Sequence, residues 1–129
     1  MKREDISVLI VDDEVALANT LAQRLQMRNL KVGTAYDGAE ALSKLKVDKP
    51  DVIVLDLRMP GMHGMEVLRE IKKACPEIQV IVLSGHGTDR DEEEAKKLGG
   101  FDFLKKPADI ETLTHKIKTA FKAKCSKTL

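Results

Sequence analysis

Short apolar runs rich in β-branched residues alternate along the chain with stretches in which apolar residues recur every three or four positions. The runs predict five strands, over residues 6–11, 32–35, 52–55, 78–83 and 101–104. The stretch after each run predicts a one-sided helix, as in Ala18, Leu21, Ala22 and Leu25. Strands that alternate with such helices are typical of a parallel sheet covered on both faces. The pattern therefore predicts five consecutive strand–helix units of the α/β class.

Residues that favour helix ends support this division. Asp37, with Glu40 three residues later, has the form of a capping box, and Asp109 is placed to cap the last helix. Gly99-Gly100 and Lys49-Pro50 are expected to close two of the helices. No repeat or low-complexity segment interrupts the series.

Composition and charge exclude several classes of protein. With 129 residues, of which 43% are apolar, the chain suits one core, and residues 1–129 are expected to form a single domain. The formal charge of +1 gives no positive field for nucleic acid, so direct binding of nucleic acid is not expected. The longest uninterrupted apolar runs are four residues, far below the roughly 20 that cross a bilayer. Cys75 and Cys125 lack metal-ligand spacing and indicate reduced thiols, so we expect a cytoplasmic protein without a membrane segment.

Carboxylates follow two of the predicted strands. The first strand ends in Val11-Asp12-Asp13 and the third in Leu55-Asp56. In an open parallel sheet, ligands bind beyond the carboxyl ends of the strands, so adjacent pairing of these two strands would bring three carboxylates together. Three like charges at one place need a cation, and oxygen ligands without His or Cys favour Mg²⁺ over zinc or copper. A single Asp more often caps a helix, but the three together favour a metal site.

Two other strand ends carry polar groups with a possible role in the same crevice. Ser84 ends the fourth strand with a hydroxyl, and Lys106 follows the fifth with an ammonium. Taken alone, a Ser at a strand end is usually part of a turn and a Lys is usually a surface residue. Together with the carboxylates, they supply what phosphoryl transfer needs: a metal ion, a nucleophile and donors for the phosphoryl oxygens.

These motifs, in this order, resemble the response-regulator receiver domains of two-component signalling over residues 5–122. The segments that carry the resemblance are Val11-Asp12-Asp13, Leu55-Asp56-Leu57-Arg58-Met59-Pro60-Gly61, Val82-Leu83-Ser84-Gly85 and Phe103-Leu104-Lys105-Lys106-Pro107. The resemblance implies a flavodoxin-like, doubly wound (βα)5 fold with five parallel strands in the order 2-1-3-4-5.

The resemblance also implies a role for each site residue. Asp56 would accept the phosphoryl group from a sensor histidine kinase or a phosphotransfer protein. Asp13 and Asp56 would bind Mg²⁺ directly, Asp12 through water, and the backbone carbonyl of Arg58 would complete the metal site. Ser84 and Lys106 would hold the phosphoryl oxygens. The family's lysine directly precedes a proline, which selects Lys106 over Lys105, and the bond to that proline is cis in the family.

Activation in the family involves the fourth helix, the fifth strand and the fifth helix, with possible dimerisation on phosphorylation. Phe103 stands where the family has a switching aromatic residue that moves together with Ser84. Arg58 and His86 flank the site and are expected to slow the loss of phosphate. The fourth helix departs from the family pattern, because Thr88–Glu94 contains no apolar residue. We therefore expect this helix to be mobile or unusually placed before phosphorylation.

Other functions remain open at this point. A flavodoxin-like redox carrier would need a hydroxyl- and glycine-rich loop where this chain has Asp12-Asp13-Glu14, and a phosphatase of the haloacid dehalogenase kind would need Asp in place of Arg58. A degenerate receiver that acts as a binding module would lack the acceptor or the lysine. The chain is either free-standing or the amino-terminal piece of a transcriptional regulator with an unknown output domain. Residues 123–129 are expected to form a lysine-rich tail, either a fraying helix end or a linker.

Overall fold

The computed structural model describes residues 6–57, 63–85 and 88–127. Five parallel strands alternate with five helices, and the strand order across the sheet is β2-β1-β3-β4-β5. The strands are β1 (Ser7–Val11), β2 (Lys31–Ala35), β3 (Val52–Leu55), β4 (Gln79–Ser84) and β5 (Asp102–Lys105). The helices are α1 (Val15–Gln26), α2 (Gly38–Leu45), α3 (Gly64–Ala74), α4 (Asp89–Lys97) and α5 (Ile110–Lys127). The predicted fold class and strand order are confirmed.

The helix ends agree with the sequence signals except at α2. Asp37 accepts a hydrogen bond from the Glu40 backbone N–H at 2.8 Å, as predicted. The Glu40 carboxylate, however, accepts from the N–H of Tyr36 rather than from that of Asp37. The expectation that Lys49-Pro50 closes α2 is wrong, because the helix ends at Leu45. Leu45 is its last buried residue, and positions 46–49 are exposed, with Val47 at 88%, so a further turn would bury no additional side chain.

The last helix begins as predicted and continues into the segment expected to be a tail. Asp109 accepts a hydrogen bond from the backbone N–H of Thr112 at 3.0 Å. The helix runs to Lys127, and Lys124 forms an ion pair of 2.7 Å with Asp51, which precedes β3. Asp51 also accepts from the backbone N–H of Ser7 at 2.9 Å. This contact therefore ties the end of α5 to the start of two strands.

Apolar side chains from both faces of the sheet form the core. Because successive strand residues point to opposite faces, Leu9 and Val11 pack on one side with α2, α3 and α4. Val8 and Ile10 pack on the other side with α1 and α5. All residues of β3 and β4 are buried, as expected for the central strands of a sheet with helices on both faces. This arrangement leaves the carboxyl ends of the strands as the open edge of the sheet.

Helix α4 is the least anchored of the helices. Its single buried residue is Ala95. A capping box holds its start, in which the Thr88 hydroxyl accepts from the Asp91 backbone N–H at 3.2 Å and the Asp91 carboxylate accepts from that of Thr88 at 3.0 Å. Gly99, at φ +105°, ends the helical stretch, as the sequence predicted. Local hydrogen bonds thus contribute more to holding α4 than burial of side chains does. The mobility of α4 before phosphorylation stays a prediction.

Helix α3 begins directly against the backbone that follows β3. The N–H of Gly64 donates to the carbonyl of Leu57 at 3.0 Å. A Cβ atom added at Gly64 would overlap the Cα of Leu57 and lie 2.7 Å and 2.8 Å from the carbonyl oxygens of Asp56 and Leu57. These neighbours are backbone atoms, which cannot rotate away as a flexible side chain can. The close approach therefore requires glycine, and it fixes the position of Asp56 against α3.

An ion pair joins the edge strand β5 to α5. The Asp102 carboxylate lies 2.8 Å from the Lys116 ammonium and accepts from the Phe103 N–H at 2.8 Å. Partial burial alone would raise the pKa of the Asp102 carboxyl. The Lys116 hydrogen bond, the Phe103 N–H and the charge of Lys96 outweigh burial, so this pKa lies below its usual value. Ionised Asp102 thus stabilises the fold.

Replacing Gly64 by Ala is expected to cost about 1–3 kcal/mol of unfolding free energy, because the added methyl group forces a shift of the Asp56–Leu57 backbone. Urea unfolding measures this loss. Gly33→Ala in β2 is the matched control, because its added Cβ meets only a Leu9 methyl group at 3.8 Å, an ordinary contact. Equal stabilities of Gly64→Ala and the wild type would contradict the packing argument.

Asp102→Asn is expected to lower the unfolding free energy by about 1 kcal/mol at pH 7. Because the pKa of Asp102 is lower in the folded state, its contribution is present above the unfolded pKa and lost as pH falls through the folded pKa. The two proteins should therefore converge in stability as the pH falls below the usual range of carboxyl pKa values, in urea unfolding at a series of pH values. Asp48→Asn, at an exposed position, serves as the control. A difference that is independent of pH would contradict the ionic explanation.

Candidate functional site

Three aspartates meet at the carboxyl edge of the sheet. Asp12 directly follows β1 and Asp56 directly follows β3. The two strands are paired with Val11 opposite Leu55, so the residues after them lie side by side. Carboxylate oxygens of Asp12, Asp13 and Asp56 all lie within 4.8 Å of one another. The predicted cluster therefore forms between Asp56 and the adjacent pair Asp12-Asp13, more than 40 positions earlier in the sequence.

This cluster can hold a metal ion. Asp12 and Asp56 are only 5% and 6% exposed, and Asp13 is half-buried. Burying like charges at this spacing is unfavourable unless a cation compensates them. The donors are carboxylate oxygens, which suit a hard divalent cation such as Mg²⁺. The residues present thus fit the kind of ion that the sequence predicted.

Lys106 supplies a positive charge at the same place. Its ammonium lies 2.8 Å from an Asp12 oxygen, 3.4 Å from a Glu14 oxygen and 3.7 Å from an Asp56 oxygen. Partial burial alone would lower the pKa of the Lys106 ammonium. The hydrogen bond and charge of Asp12, together with Asp56 and Glu14, outweigh burial and raise this pKa. Lys106 therefore remains charged beside Asp12 and Asp56.

The remaining predicted residues surround the cluster or lie outside the described residues. Ser84 ends β4 and is 1% exposed, and Phe103 of β5 is 7% exposed and packs in the core on the α4 side of the sheet. The bond between Lys106 and Pro107 is cis, as the resemblance implied. Lys105 is the last residue of β5 and is exposed. Arg58 and His86 lie outside the described residues.

Two residues near the site were not recognised from the sequence. Glu14 lies beside Lys106, although these residues are 92 positions apart. Its place directly after Asp12-Asp13 indicated that it lies near the carboxyl ends of the strands. The sequence did not indicate which side chain it would contact there. Gly64 packs on the backbone of Asp56 and Leu57, and its only signal in the sequence was a glycine at the start of a predicted helix.

Comparison with known proteins agrees with this geometry. The family model described as response regulator receiver domain matches residues 8–118. Over 118 residues the chain is 43% identical to a protein-glutamate methylesterase/protein-glutamine glutaminase 2 of Koribacter versatilis, which covers 88% of this chain and 32% of that protein. Over 120 residues it is 39% identical to the transcriptional regulatory protein GlrR of Escherichia coli, which covers 93% of this chain and 27% of that protein. The chain thus spans about a third or less of the length of these relatives.

A solved structure of similar size shows the same architecture. The response regulator receiver domain protein from Clostridium thermocellum superposes with a TM-score of 0.87 at 34% sequence identity. The match covers 92% of this chain and 96% of that one. Among the described residues, none of the helices is both long and apolar enough to span a membrane. The fold, the acidic cluster and the matched length together place this chain in the response regulator receiver domain family of two-component signalling.

Proposed function

We propose that this receiver acts as a signalling phosphoacceptor, in which Asp56 takes a phosphoryl group from a histidine kinase or a phosphotransfer protein. The observation that carries the proposal is the setting of Asp56. Its carboxylate is nearly buried and lies 3.7 Å from the Lys106 ammonium. Its oxygens are also close enough to those of Asp12 and Asp13 for all three residues to bind one metal ion. A nucleophile, a place for a cation and a fixed positive charge are the parts that phosphoryl transfer requires.

In the proposed reaction an oxygen of Asp56 attacks phosphorus and the bond from phosphorus to the donor breaks. The leaving group, the imidazole of a phosphohistidine or the acetate of acetyl phosphate, takes the bonding electrons. Asp12, Asp13 and Asp56 would hold Mg²⁺, with the carbonyl of Arg58 as a further ligand implied by the family. When bound, the ion would neutralise charge on the carboxylates and on the phosphoryl oxygens. Burial of Asp56 limits access of competing water.

Lys106 and Ser84 would respond to the new charge. A phosphoryl group adds acceptor oxygens, so the Lys106 ammonium and the Ser84 hydroxyl gain new partners. Ser84 precedes the segment that leads to α4, and Lys106 follows β5, so their movement would reach α4, β5 and α5. Phe103, buried on the α4 side of β5, would act as the switching aromatic. The affinity of the surface formed by α4, β5 and α5 for its partner would then change. That partner would be an output domain or a second copy of this chain.

Several finer points stay proposals. Arg58 and His86 are proposed to slow hydrolysis of the phosphoryl group. Residues 1–129 are proposed to form one domain, which serves either alone or as part of a longer regulator. The relatives named above are a methylesterase/glutaminase and a transcriptional regulator, so an output of either kind is compatible with a receiver of this type.

An apolar surface next to the site suits a protein donor. On α1, the apolar residues Val15 and Leu17 are 48% and 43% exposed. A cavity of about 160 Å³ opens beside Leu17 and is bordered by Asp12 and Lys106. Its apolar lining consists of Leu17, Leu21, Leu83, Pro107, Ala108 and Leu113. We propose that the phosphodonor protein buries this surface while it presents its phosphohistidine to Asp56.

Incubation with acetyl phosphate and Mg²⁺ is expected to add one labile phosphoryl group to the wild-type protein. Asp56→Asn should take up none, because the amide is a poor nucleophile, and removal of Mg²⁺ by a chelator should lower the uptake at least about tenfold. Intact-mass spectrometry measures both. Asp48→Asn, which changes an exposed aspartate away from the site, is the control and should be phosphorylated like the wild type. No adduct on a folded wild-type protein that binds Mg²⁺ would indicate a binding module that works without phosphorylation.

Leu17→Ser is expected to slow phosphoryl transfer from a protein donor about fivefold, because the interface loses roughly 1 kcal/mol of apolar burial. Phosphorylation by acetyl phosphate should be unchanged, because the small donor needs no docking surface. The rates of both reactions are measured on the same preparations. Val47→Ser, an exposed apolar position after α2, is the control. An equal loss with both donors would show that Leu17 acts on the site itself and not on docking.

A further inference from the structure

Glu14 makes a contact that the proposed reaction does not use. Its carboxylate lies 3.4 Å from the Lys106 ammonium, and its backbone N–H donates to the Asp12 carboxylate at 3.0 Å. The backbone bond fixes the point from which the Glu14 side chain starts. This side chain is 63% exposed, whereas that of Lys106 is 17% exposed. Glu14 therefore holds the lysine from the solvent side, at the mouth of the acidic cluster.

The partners of Lys106 differ in what a metal ion would do to them. Asp12 and Asp56 belong to the group of oxygens that can hold a cation, and a bound ion would compete with Lys106 for them. Glu14 is not a member of that group. It is therefore the carboxylate that stays available to the lysine once an ion is bound. An incoming phosphoryl oxygen would then have to displace Glu14 from Lys106.

We propose that Glu14 is a positioning residue that holds Lys106 at the mouth of the site until a phosphoryl oxygen replaces it. The inference rests on the proposed function and adds to it a residue that sets how readily the site is phosphorylated. Glu14 has two effects of opposite sign. Its negative charge favours the metal ion, but it retains the lysine and repels an anionic donor. Loss of Glu14 would therefore weaken metal binding and speed phosphorylation.

The size of both effects follows from the exposure of Glu14. Two unit charges several ångströms apart in a water-exposed setting interact weakly, by an amount equivalent to about a threefold change in an equilibrium or rate constant. Effects of this size are measurable. A fall in metal affinity together with a rise in phosphorylation rate would distinguish the proposed role from a general loss of structure. A variant that merely loosened the site would lower metal affinity and phosphorylation rate together.

The experiment compares Glu14→Gln and Glu14→Asp with the wild type. Glutamine removes the charge and keeps the length, whereas aspartate keeps the charge but is one methylene too short to reach Lys106. Calorimetry measures Mg²⁺ affinity of the unphosphorylated protein, and intact-mass spectrometry measures the initial rate with acetyl phosphate at saturating Mg²⁺. Glu111→Gln is the matched control, because Glu111 is similarly exposed, at 73%, and paired with a cation, Arg28, at 2.6 Å.

We expect Glu14→Gln to bind Mg²⁺ about threefold more weakly and to be phosphorylated about threefold faster. Glu14→Asp should keep near wild-type Mg²⁺ affinity and still be phosphorylated faster, and Glu111→Gln should change neither quantity. The inference is overturned if both quantities fall in Glu14→Gln, if neither changes, or if Glu14→Asp keeps the wild-type rate. A wild-type protein that takes up no phosphoryl group would instead overturn the proposed function, and this inference with it.

Discussion

Repulsion between like charges at the sheet edge is the interaction on which the rest of the structure depends. Parallel pairing of β1 with β3 places Asp12 and Asp56 side by side, and both are nearly buried. In a setting of low dielectric constant this arrangement costs free energy, which the Lys106 ammonium offsets only in part. The excess of negative charge is what makes the cluster receptive to a cation. The same excess of charge that lowers the stability of the fold therefore favours the binding of a cation.

The rest of the fold holds this unfavourable arrangement in place. Helices cover both faces of the sheet, so the strands cannot separate without exposing the core. Backbone contact at Gly64 keeps the residues after β3 from moving outward, and the Asp102–Lys116 pair fixes β5 to α5. By contrast, α4 has one buried residue and lies next in the chain after Ser84. Well-packed elements thus support the charges, while α4, with a single buried residue, contributes little to holding them in place.

The parts of this structure that follow from short-range patterns were predictable from the sequence. Strand limits differ from the predicted ones by at most one residue at either end, because buried β-branched runs have few alternatives. The acidic cluster was also predictable, since topology alone brings the carboxyl ends of β1 and β3 together. The end of α2 was not predictable from Pro50, because the helix ends at its own last buried residue, Leu45, five positions earlier.

Contacts that depend on side-chain reach or on close backbone approach were not predictable. The pairing of Glu14 with Lys106 joins positions 92 residues apart and depends on the rotamers of two long side chains. The need for glycine at position 64 arises from the exact approach of α3 to the end of β3, which no periodicity records. Likewise, Glu40 has the spacing of a capping box, but its bond goes to Tyr36 instead of Asp37. Sequence patterns thus predict which segments lie close together more readily than they predict the side-chain and backbone contacts between them.

The sparse packing of α4 has a consequence for how such proteins diversify. With Ala95 as the single buried residue among nine, the outward positions of the helix can change with little loss of stability. None of them is part of the acidic cluster, so substitutions there leave its chemistry intact. If α4 binds a partner, as proposed above, a gene duplicate could change that partner through substitutions in this helix alone. The residues that would select a partner and the residues that would carry the proposed reaction can thus change independently of each other.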